Sequence, residues 1–215
     1  MKDTVLDRLH VWSVYQPERR IDFNGVFWRR PAGNVMFDPM PLCEEQAEFV
    51  TAMGGVRAIV VSNADHWRAT DELARRFGAE IAAPSADRSR LQERTTRVTR
   101  WYASAAELPA SLAPDVDVHL LHGGKSSAET AFYLRPLRAL LFADAVRSHV
   151  SGRLRMLPDD KLSDRARLTA DLLALRDLNL QAILVGDGDC LFTGARGAFL
   201  EFLRGLSCDE SPAAR

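Results

Sequence analysis

Four polar clusters in this sequence each follow a short apolar run, and together they hold most of the residues that could do chemistry. The clusters are Ser62 to His66, Gly123 to Ser126, Asp144, and Gly186 to Asp189. Carboxylates, an imidazole and an ammonium group in one crevice could hold a metal, transfer a proton or bind an anion. Layered α/β proteins build such sites at strand ends, because rigid strands aim several side chains at one place. We therefore expect Asp65, Lys125, Asp144 and Asp187 to share one crevice.

Each cluster taken alone also has a simpler interpretation. Asn63 or Asp65 would cap a following helix, and Gly186 and Gly188 would permit a tight turn. The order and spacing of the four clusters favour a common site over four unrelated local features.

The elements that must position these residues can be predicted from periodicity. HVWSVYQ, IDFNGVFWRR and NVMFDP alternate as strands do and indicate an antiparallel meander. From Leu42 the pattern changes, because CEEQAEFVTAMGG and HWRATDELARRFG have helical spacing and RAIVVS and AEIAAP are short apolar runs. SADRSRLQER is a further predicted helix. This alternation predicts parallel strands with helices on their face.

The second half of the chain is again rich in predicted strands. RVTRWYA, VDVHLLH, TAFYLRP, ALLFADA and QAILVGDGD are the strand candidates, and SDRARLTADLLALRDLN and TGARGAFLEFLRGL are the helices. Ser163 is the expected cap of the first of these helices. The segment from Val146 to Lys161 has no clear period, so we expect a long irregular loop that covers one edge of the crevice. We expect one domain over residues 1–207 and a polar tail over residues 208–215.

Composition narrows the class of protein. The 215 residues carry a formal charge of −1 and their positive charges are scattered, so nothing indicates binding to nucleic acid. No apolar run approaches the roughly 20 residues of a membrane span, and no signal peptide is evident at Met1. Three widely spaced cysteines argue against a disulfide framework or a zinc knuckle. We expect a cytoplasmic protein that acts on a small molecule; the oligomeric state stays open.

The order of the motifs resembles the metallo-β-lactamase superfamily over nearly the whole chain. Pro31 to Pro39 resembles the start of that family, the loop at Ser62 lies where the family has His-x-His-x-Asp-His, and HGGKSSAET lies where it has Pro-Gly-His. LLFADAV is similar to its Gly-Asp-x segment and LVGDGD to its terminal Gly-His-Gly. The resemblance implies an α+β fold, the four-layer αβ/βα sandwich of the metallo-β-lactamase type.

A narrower combination of motifs resembles a small bacterial branch of this superfamily, the metallo-hydrolase-like proteins. It consists of Ser62 to Arg68, Gly123 to Glu129, Leu157 to Leu162, and Val185 to Gly188.

The metal-binding motifs of the family are mostly replaced in this chain. Zinc in the family is held by imidazoles and a bridging carboxylate. In ungapped alignment the first two histidines of the loop fall on Asn63 and Asp65, and the Asp-His pair falls on Trp67 and Arg68. A two-residue gap would instead align Asp65 and His66 with that pair.

The remaining metal positions also differ. The third-motif histidine becomes Lys125 and the last becomes Asp187, whereas the bridging carboxylate is retained as Asp144. Because an ammonium group repels a cation placed nearby, two zinc ions of the ordinary kind are not expected. Two alternatives follow: one divalent metal such as zinc held by His66, Asp144 and Asp187, or no metal. In the second case we expect the Lys125 ammonium group to pair with Asp144 and Asp187 in the vacated cation position.

The resemblance implies a hydrolase that acts on a small ester, thioester or amide through this altered site, which suits an anionic substrate. Its catalytic residues would be Asp65, His66, Lys125, Asp144 and Asp187. Arg68, Arg153 and Arg155 would extend a clamp for an anion. The alternative is a binding or scaffold protein that kept the fold without the metal chemistry.

Overall fold

Two β-sheets lie face to face, with helices covering the outer face of each. The computed structural model describes residues 1–127, 129–150 and 152–209, without the side chains of residues 208 and 209. The fold is the predicted α+β sandwich of four layers.

The first sheet is formed by strands of the N-terminal half. In order across the sheet these are β1 (Lys2–Asp3), β2 (Leu9–Gln16), β3 (Ile21–Trp28), β4 (Val35–Phe37), β5 (Ala58–Val60), β6 (Glu80–Pro84) and β7 (Arg100–Tyr102). β1 to β4 pair antiparallel, as the predicted meander requires, and β4 to β7 pair parallel. The helices α1 (Glu44–Ala52), α2 (Thr70–Phe77) and α3 (Arg88–Gln92) follow β4, β5 and β6.

The second sheet is formed by β8 (Val116–Leu121), β9 (Glu129–Leu134), β10 (Ala139–Phe142) and β13 (Ala182–Val185), in the spatial order β13-β10-β9-β8. β10 pairs parallel with β13 and antiparallel with β9. The helices α4 (Arg165–Leu173) and α5 (Ala195–Asp209) cover this sheet. The polar clusters after β5, β8, β10 and β13 therefore all lie at strand ends of the two facing sheets.

The strands in the middle of each sheet are apolar on both faces, because both faces are buried. Phe37 and Val60 of the first sheet pack against Phe132 and Leu141 of the second in the central core. The alternate residues of these strands pack outward against the helices. This double burial explains why the sequence shows short continuous apolar runs at these strands instead of alternation.

The segment from Val146 to Lys161 is not the irregular loop that we expected. It forms a β-hairpin of β11 (Val146–Val150) and β12 (Arg153–Met156) with a register shift between Arg147 and Val150. Within β11, buried Val146 and Ser148 alternate with less buried Arg147 and His149, which is a strand pattern that the arginines obscure. Ser151 lies outside the described residues.

Two helix ends also differ from expectation. The cap of α4 is Asp164, whose side chain accepts a hydrogen bond from Arg167 N at 2.9 Å, whereas Ser163 Oγ donates to Gly124 O at 3.1 Å. α5 continues to Asp209, two residues into the expected tail. The rest of that tail, residues 210–215, lies outside the described residues. Within the described part of the chain, no helix is both long and apolar enough to cross a membrane.

Candidate functional site

The candidate site is organised by Asp38, which directly follows β4. Its Oδ1 atom accepts a hydrogen bond from Ser62 N at 2.8 Å, and its Oδ2 atom accepts one from Ser62 Oγ at 2.6 Å. Oδ2 also lies 2.9 Å from Nδ1 of His66. Asp38 has a φ of 45°, a left-handed conformation that aspartate tolerates better than most residues. Because Nδ1 of His66 faces this carboxylate, the other ring nitrogen is directed into the crevice.

His66 is held from two further sides. Asn63 caps the short helical turn, which was one of the simpler interpretations of this cluster: its Oδ1 atom accepts hydrogen bonds from Asp65 N at 2.8 Å and from His66 N at 3.1 Å. A Cβ atom at Gly186 would lie 2.6 Å from Cε1 of the imidazole, so only glycine allows this approach. His66 Nε2 lies 3.6 Å from Oδ2 of Asp144. Burial and Arg68 lower the pKa of His66, but the carboxylates of Asp38 and Asp144 outweigh them and raise it to about 9.

Two arginines supply the cations at the centre of the site. Arg68 Nη1 donates to Asn24 O at 2.7 Å, and its Nη2 atom lies 3.4 Å from His66 Nε2 and 3.6 Å from Asp187 Oδ1. Arg147 Nη2 lies 3.7 Å from Asp144 Oδ1 and 3.4 Å from Asp187 Oδ2. The guanidinium group of Arg147 therefore joins the carboxylates of Asp144 and Asp187, and that of Arg68 approaches Asp187 alone.

The buried acids of the site differ in their protonation. Glu129 accepts hydrogen bonds from Ala145 N at 2.8 and 3.0 Å, yet burial and the charge of Asp144 raise the pKa of Glu129. Burial also raises the pKa of Asp187. For Asp144, burial acts in the same direction but is outweighed by His66, Lys125 and Arg147, so its pKa falls below the usual range. The pKa of Asp144 is thus shifted in the direction opposite to those of Glu129 and Asp187.

Lys125 and Asp65 form a separate pair at the rim of the site. Lys125 Nζ lies 2.7 Å from Asp65 Oδ2, and Arg90 Nη2 lies 2.8 Å from Asp65 Oδ1. The Lys125 side chain is 44% exposed. The prediction that its ammonium group sits between Asp144 and Asp187 is therefore wrong. Asp65 is the acid it reaches, and Arg68 and Arg147 already neutralise the other two.

The structure thus brings His66, Asp144 and Asp187 together and places Asp65 and Lys125 beside them at the rim. The charge of Lys125 still acts on the pKa of Asp144, which keeps the rim pair electrostatically coupled to the centre. The catalytic roles proposed for these five residues stay predictions.

A metal ion does not fit these residues as they are arranged. Among the described residues, no group of three or more histidine, cysteine, aspartate or glutamate side chains is placed to hold a metal. His66 Nε2, the nitrogen that faces the crevice, has the cationic Nη2 of Arg68 3.4 Å away. Metal ligands are normally unprotonated and lie about 2.0–2.2 Å from zinc. The guanidinium groups of Arg68 and Arg147 take up the positions beside these carboxylates.

One face of the β11–β12 hairpin carries two arginines. Arg147 and Arg155 are register partners directly opposite each other on the two strands. Burial and the charges of Arg147 and Arg155 lower the pKa of nearby His149, whereas Asp187 raises it. Arg147 Nε is buried without a hydrogen-bond partner among the described residues. Arg155 is exposed and forms no ion pair with any acidic residue that the structure describes.

Three residues of the site were not predicted as site residues from the sequence. Asp38 appeared only as the end of a meander and of a family-like stretch, and Glu129 only as the last residue of a motif that begins at Gly123. Both were visible as parts of motifs, which is the signal that could have identified them. Arg147 lay in the segment that we expected to be an irregular loop. Only the strand pattern of that segment could have indicated that the Arg147 side chain points toward Asp144.

Comparisons with known proteins agree with this fold. The family model described as metallo-beta-lactamase superfamily matches residues 1–206. The chain therefore belongs to the metallo-β-lactamase superfamily, and membership suggests a function of hydrolase type. A search of curated proteins gives no match.

Solved structures of low sequence identity share the fold. A metallo-β-lactamase from Pontibacter korlensis aligns with a TM-score of 0.73 at 12% identity, covering 95% of this chain and 97% of that one. FIM-1 from Pseudomonas aeruginosa in its mono-zinc form aligns with a TM-score of 0.70 at 16% identity, covering 95% and 92%. One from Hirschia baltica gives 0.67 at 15% identity, with 92% of each chain covered.

Proposed function

We propose that this protein binds a small anionic ligand at a metal-independent site in which guanidinium groups replace metal ions as the source of positive charge. The observation that carries the proposal is the pairing of Arg147 with Arg155 directly across the hairpin. Like charges in this position destabilise a sheet. An anion between or beside them removes the repulsion.

The surroundings of these two arginines support an anionic ligand. Arg147 contacts Asp144 and Asp187 through Nη2 only, at 3.4–3.7 Å, which is longer than a good hydrogen bond, and its Nη1 atom has no partner among the described residues. A guanidinium group has five N–H donors in a fixed plane that suits carboxylate or phosphate oxygens. Arg147 therefore has donors to offer, while the exposed Arg155 can close on the same ligand from the opposite strand.

A hydrolase is the second candidate, and the raised pKa of Asp187 favours it. Burial raises the pKa of this carboxyl group, and Arg147 lies beside it. A carboxylate with a raised pKa accepts a proton more readily, so Asp187 could deprotonate a water molecule while the arginines hold an anionic ester, thioester or amide.

Titration with inorganic phosphate at constant ionic strength tests the binding proposal. Calorimetry should detect binding by the unmutated protein, and Arg155→Gln should weaken it by roughly tenfold, as expected for about 1.4 kcal/mol from one charge-assisted contact. The matched control is Arg100→Gln, an exposed arginine on β7 of the other sheet, which should bind phosphate as the unmutated protein does. Equal loss in both variants would refute specific binding at the hairpin.

Turnover separates the two candidate functions. A panel of anionic esters, thioesters and amides is incubated with unmutated protein and with Asp187→Asn. Hydrolysis that the substitution abolishes would favour the hydrolase. Phosphate binding that depends on Arg155, without hydrolysis of any member of the panel, would favour the binding protein.

A further inference from the structure

We infer that the guanidinium group of Arg68 takes the place of a bound metal ion, and that its removal opens a single metal site formed by His66, Asp144 and Asp187. The role of Arg68 is independent of whether an anion binds at Arg155, because Arg68 and Arg147 approach different oxygen atoms of Asp187.

The imidazole of His66 has the surroundings of a metal ligand. Metal-bound histidines usually donate their second ring N–H to a carboxylate, which fixes the tautomer and the ring orientation. His66 makes this contact through Nδ1 with Oδ2 of Asp38 at 2.9 Å, and both side chains are almost fully buried. The Asp38 carboxylate is itself fixed by the backbone and the hydroxyl group of Ser62. His66 Nε2 is consequently held in one direction, toward Asp144.

The spacing of His66 and Asp144 would allow both to bind one metal ion. Two tetrahedral zinc ligands, each about 2.1 Å from the metal, lie roughly 3.4 Å apart. His66 Nε2 and Asp144 Oδ2 are 3.6 Å apart. Arg68 Nη2 lies between His66 Nε2 and Asp187 Oδ1, at 3.4 and 3.6 Å. The Arg68 guanidinium group therefore lies beside both His66 and Asp187, and Asp144 approaches the same imidazole nitrogen. These three side chains are the ligands that a metal ion in its place would have.

Arg68 is anchored where it lies. Its Nη1 atom donates to Asn24 O at 2.7 Å and to Asp38 O at 3.1 Å, and its guanidinium carbon lies 5.3 Å from the centre of the Phe23 ring. The side chain is only 9% exposed. An arginine held so firmly at this depth is a fixed part of the site, and its positive charge is a constant one.

Zinc binding by variants of Arg68 tests the inference. Each protein is first treated with a chelator to remove any bound metal. The chelator is then removed, and the protein is titrated with zinc chloride at pH 8. We expect Arg68→Ala to bind one zinc ion per chain at least tenfold more tightly than the unmutated protein. The double variant Arg68→Ala with His66→Gln should lose that gain. The inference is overturned if Arg68→Ala binds zinc no better than the unmutated protein, or if the gain survives loss of His66.

Arg68→Met keeps the inference testable if Arg68→Ala does not fold, because the longer apolar side chain retains packing against Phe23. If neither variant folds without metal, circular dichroism with and without zinc chloride gives the result. The inference would be supported if zinc restores the folded signal of the variant and fails to restore it when His66 is also replaced. Failure of zinc to restore the fold would overturn it.

Discussion

Nη2 of Arg68 lies 3.4 Å from Nε2 of His66, so two groups that carry positive charge meet at the centre of the site. The carboxylates of Asp38, Asp144 and Asp187 surround them. With Arg147, whose side chain is 17% exposed, three cationic side chains face the three aspartates of this described cluster. Such a network is stable only if its members stay paired, because an uncompensated buried charge is costly. Replacing one member of the network should therefore change the free energy of unfolding by a measurable amount.

Replacement of Asp38 should have the largest effect on stability. Asp38→Asn removes the charge that faces His66 and one of the acceptors that Ser62 uses. We expect the free energy of unfolding to fall by about 3–5 kcal/mol, the usual cost of breaking a buried charge pair. Urea denaturation gives the value. The matched control is Asp22→Asn, an exposed carboxylate on β3, for which a change within about 0.5 kcal/mol is expected. Similar losses in both variants would contradict the central position of Asp38.

Stability should decrease between neutral and alkaline pH because of His66. The pKa of His66 in the folded protein is about 9, above the ordinary value of 6.5. Its stabilising contribution is therefore complete below pH 6.5 and is lost as pH rises through about 9. The total is on the order of 3 kcal/mol at 1.36 kcal/mol per pKa unit. Denaturation at several pH values between 6 and 9.5 should show this decline. His66→Gln should make it shallower and leave the part that comes from the raised pKa of Glu129. An unchanged slope in the variant would disprove the contribution.

Gly186 should not tolerate even a methyl group. The Cβ atom of Gly186→Ala would lie 2.6 Å from Cε1 of His66, so the imidazole or the strand end must shift. We expect a loss of about 1–3 kcal/mol, which is typical of overpacking. Gly197→Ala on α5 meets nothing within 4 Å and should raise stability by up to about 1 kcal/mol. A neutral effect at Gly186 would show that His66 is held less tightly than these contacts indicate.

Lys125 should contribute little to stability. Its side chain is 44% exposed, and Asp65 keeps Arg90 as a second partner when the lysine is removed. Lys125→Ala should therefore lower the free energy of unfolding by less than about 1 kcal/mol, as for other exposed ion pairs. A loss above about 2 kcal/mol in thermal or urea denaturation would indicate that Lys125 also stabilises the buried carboxylates.

Much of the fold could be predicted, because its strands and helices have local sequence patterns. The apolar runs at β5 and β13 and the helical spacing of α2 identify these elements directly. The hairpin was missed because Arg147, Arg153 and Arg155 interrupt the expected alternation of apolar residues. Its strand character depends on burial of Val146 and Ser148 against residues far away in the chain.

The site was predicted less completely than the fold. Motif order was sufficient to group His66, Asp144 and Asp187, which all follow strand ends. It could not choose the partner of Lys125, because Asp65 and Asp144 both lie near the loop of Lys125 and only side-chain distances decide between them. Nor could spacing show that Arg68 and Arg147 converge on Asp187 from different elements.

The central claim is that guanidinium groups, not metal ions, supply the positive charge of this site. The most direct test is a crystal structure of the unmutated protein grown with zinc chloride, with anomalous diffraction measured at the zinc edge. We predict that Arg68 Nη2 lies within about 4 Å of His66 Nε2 and of Asp187. We also predict no anomalous peak within about 2.5 Å of His66 Nε2, a limit slightly longer than the usual zinc–nitrogen distance. A zinc peak bound by His66, Asp144 and Asp187, with Arg68 displaced, would contradict the account.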